Sequence, residues 1–476
     1  MRTVVPQPSR STRALCALGV LAGLVAPAGA AAAPAPQPSR QPVTARGTLS
    51  QLPGRSGCLV DRSAKPRGGC TPVRALRGPA PFLGSRAVAI SPDGRVVYVA
   101  SSGSDAIAIF RRNARTGALT QAPGKSGCIA ERGAGGCAQA IGLGHPNSVA
   151  VSTDGQNVYA TSLASDSLTI FWRNRKTGKL TQATGGCITS RTGVPGCVTA
   201  RAVDGPDVVV VSPDGTSAYV GSFFGNAVAA FVRDPWGGGL KQPSGTAGCI
   251  AETAAAGCAT GIALGAPEGL AISGDGNDVY VAAALGNALD VLARNSSTSA
   301  LTQTGCVVDS PLAGCTTGVQ LGGANAVAVS PGDDDVYATS LTSNSLTSFS
   351  RTSSSGQLAQ LPGTSACAIY VLAVGCSLGR ELRSPEGLAV SPDGASVYAA
   401  AFASGTLDVF DRTTGSGALL QKPRRAGCIT TSAVPDCTRG RALRGVSSIA
   451  VSPDGRFVYA GAFGSNAVDV FKRVTR

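Results

Sequence analysis

The fold is decided by one segment, Val88-Ala89-Ile90-Ser91-Pro92-Asp93-Gly94-Arg95-Val96-Val97-Tyr98-Val99-Ala100. It has the pattern of an apolar strand, a tight turn and a second apolar strand that carries a tyrosine. Variants of this segment return about every sixty residues. The copies of the turn begin at Ser91, Ser152, Ser212, Ser273, Ser330, Ser391 and Ser452, and the matching tyrosines are Tyr98, Tyr159, Tyr219, Tyr280, Tyr337, Tyr398 and Tyr459. This period indicates seven structural repeats, each of which buries apolar residues against its neighbours.

Each repeat predicts four strands. In the second repeat the strand-like runs are 148–152, 158–162, 168–172 and 180–182. Four antiparallel strands make one blade of a β-propeller. The 63 glycines and 29 prolines suit short strands and tight turns better than helices. We therefore expect an all-β protein, a seven-bladed β-propeller.

The two ends of the repeat region complement each other. The last repeat ends after its third strand, at residues 467–472, whereas residues 47–51 match the fourth-strand pattern Leu-Thr-Gln of the other repeats. We expect the N-terminal strand to complete the last blade, so that the propeller domain covers residues 47–476. Closing the ring in this way removes an open sheet edge.

The first thirty residues have the pattern of an export signal. Arg2, Arg10 and Arg13 precede an apolar run at 14–27, and residues 28–30 form a small-residue cleavage site. We interpret residues 1–30 as a cleaved signal peptide and residues 31–46 as a disordered Pro/Ala-rich linker. No later segment reaches the roughly 18 apolar residues of a membrane helix. We expect a secreted bacterial protein without a membrane span.

The cysteines support that compartment. Apart from Cys16, inside the signal, they form one close pair per repeat: Cys58 with Cys70, Cys128 with Cys137, Cys187 with Cys197, Cys249 with Cys258, Cys306 with Cys315, Cys367 with Cys376, and Cys428 with Cys437. An even number, a strict period and an export signal together predict seven local disulfides. The pairs are more widely spaced than zinc ligands, and the chain has one histidine. We expect neither a metal nor a cofactor.

Motifs that all repeats share are interpreted as structural. Pro, Asp and Gly at the Ser-Pro-Asp-Gly corners are what a tight turn requires, so we do not assign them to calcium. The tyrosines are expected to pack between blades. The excess of Arg over Lys is interpreted as genome composition.

The recurring phrase Val-x-Val-Ser-Pro-Asp-Gly-x-x-Val-Tyr-x-Ala resembles the YVTN-type repeat of the bacterial lactonase-like propellers, over about residues 47–476. That family includes lactone hydrolases, muconate cycloisomerases and exported proteins with no assigned reaction. The resemblance implies a seven-bladed propeller. For the enzymes it further implies an active site of Arg, His and Glu on the inner strands around the central channel.

Function is expected where the repeats differ. The first residues of the innermost strands are polar in every repeat and identical in few: Arg86, Asn147, Asp207, Glu268, Asn325, Glu386 and Ser447. We call these seven residues the polar ring. Two interpretations of the polar ring are open. The ring is either a ligand site with both signs of charge or a solvated rim of the channel.

An enzyme would draw its catalytic groups from this region. His145 is the only histidine, and it precedes the inner strand of the second repeat. In a lactonase, His145 or Glu268 would activate water, and Arg86 would stabilise the oxyanion. Two blades separate His145 from Glu268, so the alternative is a loop histidine without a catalytic role.

Charge is unevenly distributed over the seven Cys loops, which we expect on one face of the ring, the Cys-loop face. The formal net charge is +14, yet the loops at 243–268 and 304–325 contain no Lys or Arg. Basic residues concentrate instead in the loops into the first, sixth and last repeats: Arg55, Arg62, Lys65, Arg67, Arg74, Arg77 and Arg86, then Arg380 and Arg383, then Lys422, Arg424, Arg425, Arg439, Arg441 and Arg444. Such an arc attracts anionic partners. The alternative is that the charge serves only solubility.

These observations favour a monomeric extracellular binding or scaffold module for an anionic cell-surface polysaccharide or an acidic protein. Its expected binding residues are Arg74, Arg77, Arg86, Asn147, Asp207, Asn325, Arg380, Arg383, Glu386, Arg439, Arg441 and Arg444. Nucleic acid is disfavoured because no aromatic residues alternate with the basic ones. The alternative is a lactonase-like or cycloisomerase-like enzyme that acts at the channel mouth through Arg86, His145 and Glu268.

Overall fold

A computed structural model describes residues 45–63, 69–79, 86–253 and 257–476. In these ranges the chain forms seven separate sheets, and its only helical segments are 3-10 turns of three or four residues. No helix among the described residues is long and apolar enough to cross a membrane. The predicted signal peptide with Cys16, almost all of the linker, Lys65 and Arg67 lie outside the described residues.

Each sheet is one blade, and its first three strands are antiparallel. The first and innermost strands are Val88–Ile90, Pro146–Val151, Pro206–Val211, Pro267–Ile272, Ala324–Val329, Pro385–Val390 and Val446–Val451. The second strands are Val96–Ser101, Asn157–Ser162, Ser217–Ser222, Asp278–Ala283, Asp335–Ser340, Ser396–Ala401 and Phe457–Ala462. The third strands are Ala106–Arg112, Ser167–Arg173, Ala227–Arg233, Ala288–Arg294, Ser345–Arg351, Thr406–Arg412 and Ala467–Arg473. We number the blades 1 to 7 in this order.

The fourth strand runs past the first cysteine and is interrupted in five blades. Its segments are Leu119–Gln121 with Cys128–Glu131, Leu180–Thr189, Leu240–Lys241 with Cys249–Ala251, Leu301–Val308, Leu358–Gln360 with Cys367–Ile369, Leu419–Gln421 with Cys428–Thr430, and Leu49–Gln51 with Cys58–Asp61. The 3-10 turns are Gly54–Gly57, Ser102–Ser104, Gly124–Ser126, Ala134–Gly136, Gly245–Gly248, Arg424–Ala426 and Phe463–Ser465.

The prediction of seven local disulfides is confirmed, pair by pair. The first cysteine of each pair lies in the fourth strand, and the second lies 9 to 12 residues later. The bonded pairs are Cys58 and Cys70, Cys128 and Cys137, Cys187 and Cys197, Cys249 and Cys258, Cys306 and Cys315, Cys367 and Cys376, and Cys428 and Cys437. Each blade therefore carries its own crosslink.

Each disulfide loop returns the chain to the blade edge. There the chain adds a short fifth strand, parallel to the fourth, that the sequence pattern did not predict. The fifth strands are Ala138–Ala140, Val198–Thr199, Ala259–Thr260, Thr316–Thr317, Ser377–Leu378, Thr438–Arg439 and Thr71–Val73. They are too short for the sequence pattern to identify.

Blade 7 closes the ring as predicted. Its third strand, at the C-terminal end, pairs antiparallel with the N-terminal strand, so that Leu49 lies opposite Arg473 and Gln51 opposite Phe471. Cys58–Asp61 extends the same pairing. The first and last described strands therefore share one sheet.

The apolar core lies between blades rather than within one. One cluster, for example, combines Ile107 and Ile109 of blade 1 with Val149 and Val158 of blade 2. Corresponding clusters occupy the other six interfaces. Each blade buries both faces, which explains why its strands are apolar almost throughout.

A buried arginine and the repeat tyrosine join each blade to the next. Arg173 Nε donates to the Tyr98 hydroxyl at 2.9 Å, and its Nη2 donates to the Asp93 carboxylate of the blade 1 turn at 3.0 Å. The Tyr98 hydroxyl in turn donates to the Gly178 carbonyl at 2.9 Å. Although desolvation opposes it, hydrogen bonds from Ser91 and Arg173 lower the pKa of Asp93. We call this arrangement the inter-blade lock.

The inter-blade lock recurs at all seven interfaces. Its Arg–Tyr pairs are Arg112–Tyr459, Arg173–Tyr98, Arg233–Tyr159, Arg294–Tyr219, Arg351–Tyr280, Arg412–Tyr337 and Arg473–Tyr398. The carboxylate comes from the turn in six cases, and in the seventh Arg412 binds Asp335, which begins the second strand of blade 5. The tyrosines thus pack between blades as expected. Seven arginines have a structural role that genome composition does not explain.

The turn that receives the tyrosine requires glycine. Gly178 has φ +78°, and a Cβ there would lie 2.8 Å from Val96 Cγ2. Both the left-handed backbone and the close approach exclude a larger side chain. This explains the Thr-Gly turn between the third and fourth strands.

A second repeated contact comes from the glutamine near the end of the Leu-Thr-Gln pattern. Gln121 accepts a hydrogen bond from the backbone N–H of Arg74 and donates to its carbonyl, both at 2.9 Å. The same double contact joins Gln51 to Arg441, Gln182 to Ile141, Gln242 to Arg201, Gln303 to Ile262, Gln360 to Val319 and Gln421 to Arg380. It fixes the segment that leads from one blade into the next.

Candidate functional site

The polar ring lies at irregular positions of the inner strands. In blades 2 to 7 the pairing of the first with the second strand shifts register at the ring residue, for example between Pro206 and Val208 and between Pro385 and Gly387. A β-bulge leaves its extra residue unpaired and re-aims the side chain, and bulges often lie next to active sites. The ring residues therefore differ from their neighbours in backbone geometry as well as in polarity.

The ring is buried. Asn147, Asp207, Glu268, Glu386 and Ser447 are each at most 4% exposed. Asn325 is also fully buried, donates to the Pro385 carbonyl and accepts from the Thr339 hydroxyl. Of the two interpretations left open by the sequence, a solvated rim is wrong for these six residues, because each of them is buried.

Three carboxyl groups of the ring affect one another's ionisation. One oxygen each of Asp207, Glu268 and Glu386 has no hydrogen-bond partner, although the other Asp207 oxygen accepts from the Asn147 amide. Desolvation, and then the charges of Asp207 and Glu386, raise the pKa of Glu268 to about 10. Desolvation and the charge of Asp207 raise the pKa of Glu386 to about 8. Burial also raises the pKa of Asp207, although the Asn147 hydrogen bond opposes the shift. We call these three residues the carboxyl cluster.

Arg86 crosses the channel. Its Nη2 donates to the Val327 carbonyl of blade 5 at 3.0 Å. Among the described residues it pairs with no carboxylate, and desolvation by the surrounding protein lowers its pKa. The side chain nevertheless keeps accessible surface, because it faces an open cavity. Arginine remains charged even in such surroundings.

Two spaces meet at Arg86. On one side is a narrow gap lined by Arg86, Gly269 and Gly387, and these glycines directly follow Glu268 and Glu386. The gap has no room for a side chain at position 387, since a Cβ there would lie 2.6 Å from the Ser447 carbonyl oxygen. We call it the neck. On the other side is a cavity of about 470 Å³, which we call the funnel.

The funnel opens on the face opposite the Cys loops. Its lining includes the last residues of the inner strands, such as Val151 and Val211, and the turn prolines Pro213 and Pro453. This face carries the Ser-Pro-Asp-Gly turns, and we call it the turn face. No sequence pattern indicated the funnel, because its lining consists of ordinary apolar strand residues.

His145 lies apart from the channel groups. Its side chain is 60% exposed, and Nε2 lies 4.0 Å from Asp105 Oδ1. It lines neither the neck nor the funnel. Of the three residues predicted for catalysis, Arg86 alone lines these spaces. Glu268 is buried directly before Gly269 of the neck, whereas His145 is exposed. The acids Asp207 and Glu386 accompany Glu268 instead.

Three of the candidate binding arginines on the Cys-loop face are bonded to backbone carbonyls. Arg74 donates to the Gly124 carbonyl at 2.9 Å, Arg441 to Leu52 at 2.8 Å and Arg380 to Lys422 at 2.5 Å. Each holds the turn before a neighbouring disulfide. These contacts give the three side chains a structural task that competes with ligand binding.

The remaining candidate arginines are exposed. These are Arg77, Arg383, Arg439 and Arg444. The Arg383 guanidinium stacks over Tyr370 at 5.4 Å from the ring centroid. Arg439, together with Arg425, lines an open cleft of about 420 Å³ beside the disulfide between Cys428 and Cys437.

Sequence reasoning missed three buried acids on the third strands. Asp290, Asp408 and Asp469 are fully buried, and each accepts a hydrogen bond from the fourth-strand glutamine. Burial raises the pKa of all three. An acid within an otherwise apolar strand was the available signal. Among the described residues, no cluster of three acidic, His or Cys side chains could hold a metal ion.

Comparison with known proteins supports the fold. The family model described as "Lactonase, 7-bladed beta-propeller" matches residues 77–130 and 266–428. No curated protein matches the sequence. The family match covers most of blades 1 and 6 and all of blades 4 and 5, and it omits blades 2, 3 and 7.

Solved structures show the same architecture at low identity. A putative 6-phosphogluconolactonase from Bacteroides fragilis is 15% identical, with a TM-score of 0.52 over 79% of this chain and 92% of that chain. The hydrazine synthase of Kuenenia stuttgartiensis is 18% identical, with a TM-score of 0.51 over 83% of this chain and 97% of that chain. The periplasmic gluconolactonase of Pseudomonas aeruginosa is 19% identical, with a TM-score of 0.50 over 79% of this chain and 93% of that chain.

These neighbours carry differently named activities, so their likeness to this chain concerns the fold and leaves the reaction open. The ring of seven blades identifies the chain as a seven-bladed β-propeller, and residues 77–130 and 266–428 are similar to the lactonase family of that fold.

Proposed function

We propose that this protein is a secreted enzyme of the lactone-hydrolase class that works at the neck of its central channel. The observation that carries the proposal is the carboxyl cluster: three buried acids with unpartnered oxygens, two of which directly precede the glycines that line the neck together with Arg86. Perturbed acids in a channel are typical of catalytic sites. Seven disulfides support folding in an oxidising compartment.

The acids differ in the way that acid–base catalysis requires. With a pKa of about 8, Glu386 is able to take a proton from water near neutral pH. With a pKa of about 10, Glu268 stays protonated and donates a hydrogen bond. Arg86 adds a fixed positive charge for a developing oxyanion.

The resulting step is hydrolysis of a cyclic ester. Water loses a proton to Glu386 and attacks the lactone carbonyl carbon, and the oxyanion is stabilised by Arg86 and Glu268. The ring C–O bond then breaks, and the leaving alkoxide takes the proton held by Glu386. The product is an open-chain hydroxy acid, and both carboxyl groups return to their starting state.

The test is a lactone-hydrolysis screen with the purified protein and matched variants. Glu386→Gln keeps shape but removes the base, so we expect kcat/KM to fall by about 10²- to 10⁴-fold. Asp204→Asn removes an exposed carboxylate that precedes the blade 3 inner strand, and should leave turnover unchanged. The wild-type rate should rise with pH through about 8.

Two results would contradict the proposal: no turnover of any lactone by the wild type, or full activity in Glu386→Gln. His145→Ala decides the other assignment of the base. Loss of turnover in that variant alone would transfer the role of base to His145.

A second candidate function is binding of an anionic polymer at the Cys-loop face. The open cleft lined by Arg425 and Arg439 favours it. Replacing both arginines by Ser should reduce retention on an acidic polysaccharide matrix at about 0.15 M salt. The control is Arg175→Ser with Lys176→Ser, which removes the same charge from exposed positions of the turn face. Equal retention of both double variants would exclude the cleft.

A further inference from the structure

The funnel has an unusual lining. Among the described residues that form its wall, Arg86 is the only one with a polar side chain, and all others are Val, Ile, Leu, Ala or Pro. Its volume of about 470 Å³ falls within the roughly 300–1,000 Å³ of small-molecule sites. Apolar side chains around one convergent charged group favour a ligand that is apolar along its body and charged at one end.

The charge of Arg86 lacks a counter-charge. One Nη2 bond to the Val327 carbonyl uses a single donor, whereas a guanidinium has five. No described carboxylate forms an ion pair with Arg86, and burial raises the pKa of all three acids of the carboxyl cluster, which opposes their ionisation. A guanidinium that is exposed to a cavity and has no carboxylate partner is available to an anion that enters the cavity.

We propose that the funnel binds a small organic monocarboxylate, with the carboxylate on Arg86 and an aliphatic or aromatic body along the apolar wall. This proposal rests on the channel as the functional site, as proposed above, but it does not require hydrolysis. It names the substrate class as well: the open-chain product of a lactone that carries an apolar substituent is such a carboxylate. Arginine pairs with carboxylates through two parallel hydrogen bonds, so the ligand would also be oriented.

A sugar acid fits this cavity poorly. Its hydroxyl groups would lose water without gaining side-chain partners along the wall, and each unpaired polar group costs binding energy. A cationic ligand is also disfavoured, because Arg86 would repel it. The wall and the charged end therefore separate the proposed ligands from polyhydroxylated ones.

The first measurement is titration calorimetry with octanoate on the intact protein at neutral pH. We expect one octanoate per chain, weaker binding of gluconate and no binding of octylammonium. Lengthening the chain from butanoate to octanoate should tighten binding by up to about fourfold per methylene. Equal affinity for octanoate and octylammonium, or tighter binding of gluconate, would overturn the proposal.

Variants locate the site. Arg86→Met keeps the length of the side chain and removes its charge, so octanoate affinity should fall by about tenfold to a hundredfold. Arg95→Met removes an arginine from an exposed position of the turn face that does not line the funnel, and should leave affinity unchanged. Ala450→Phe narrows the funnel wall and should reduce affinity while retaining Arg86. Unchanged affinity in Arg86→Met would overturn the proposal, and so would unchanged affinity in Ala450→Phe.

The two proposals fail in different ways. Octanoate binding that depends on Arg86, without turnover of any lactone, supports the funnel site and refutes the hydrolase. Lactone turnover with carboxylate binding unaffected by Arg86→Met supports the hydrolase and refutes the funnel site.

Discussion

The inter-blade lock and the polar ring are both buried and polar, yet they are built differently. The Arg–Tyr pair of the lock recurs at all seven interfaces, and only the position of the carboxylate differs at one of them. In one such lock the single side chain of Arg173 contacts Tyr98, Asp93 and Gly155. The ring varies from blade to blade, and three of its carboxyl groups keep an oxygen without a partner. Satisfied polar groups stabilise a fold, whereas unsatisfied ones need a functional explanation.

The two regions also differ in how they hold charge. Hydrogen bonds overcome desolvation in the lock and lower the pKa of Asp214 to about 2. Desolvation dominates in the ring and raises the pKa of Glu268 to about 10. Repetition therefore indicates groups that hold the protein together, and variation occurs at the groups that we propose for the functional site.

Breaking one lock should have the largest effect on stability. Arg233→Met leaves the Tyr159 hydroxyl and the Asp154 carboxylate without their partner. We expect a loss of about 3–5 kcal/mol, as for other broken buried ion pairs. Urea unfolding measures it, and the exposed neighbour position Arg175→Met should change stability by less than about 0.5 kcal/mol. Equal losses in the two variants would mean that the lock does not stabilise the ring.

Removing one disulfide should have a smaller effect. Replacing Cys306 and Cys315 together by Ala opens a loop with a separation of 9 residues. Short loops of this kind contribute about 2–3 kcal/mol in the chain-entropy account. The midpoint of urea unfolding should fall accordingly. No change in the midpoint would show that the blade edge, and not the crosslink, holds the loop.

The dependence of stability on pH sharpens the comparison. Glu268 and Glu386 bind protons more tightly in the folded than in the unfolded protein, so their protonation stabilises the folded state in acid. That stabilisation is lost as pH rises from about 4.5, the ordinary pKa of glutamate, to about 8 for Glu386 and about 10 for Glu268. The lock aspartates act oppositely, and their contribution is lost as pH falls below 3.8, with Asp214 titrating at about 2.

Glu268→Gln should therefore flatten the fall in unfolding free energy between pH 5 and 9. The slope should change by up to about 1.4 kcal/mol per pH unit, the limit for one titrating group. Urea titrations at several pH values measure it. An unchanged slope would show that the Glu268 pKa is not raised by burial.

The glutamine contact should give the smallest effect. Gln182→Met removes two hydrogen bonds to the backbone of Ile141, at 2.9 and 2.8 Å. Solvent reaches these half-buried groups, so we expect a loss of about 1 kcal/mol. Chemical unfolding should resolve it from the wild type. A loss as large as that of Arg233→Met would make the glutamine part of the lock.

The sequence predicted the parts of the fold that repeat. A turn, a tyrosine and a cysteine pair in each unit were sufficient for the number of blades, the disulfides and the closing strand, because periodicity in sequence becomes periodicity in space. The lock arginines are also periodic, at the ends of the third strands. Their role was missed because the excess of Arg was interpreted as composition.

The candidate site was only partly predictable. Alignment of the repeats identified Asp207, Glu268 and Glu386, but their burial depends on bulges that no local pattern shows. The funnel forms where the ends of the inner strands of different blades meet, so no single segment of the sequence predicts it. The isolation of His145 from Glu268 likewise depends on ring geometry, although the separation by two blades already pointed to it.

The closing strand of blade 7 also has a consequence for the order of folding. Gln51 contacts Asp469 across 418 positions of sequence, whereas every disulfide spans 9 to 12 residues. Contacts between distant positions form slowly, and local ones form early. The crosslinks can therefore form correctly inside each unit while the circle is still open, and only the final seam must wait for both ends of the chain to meet.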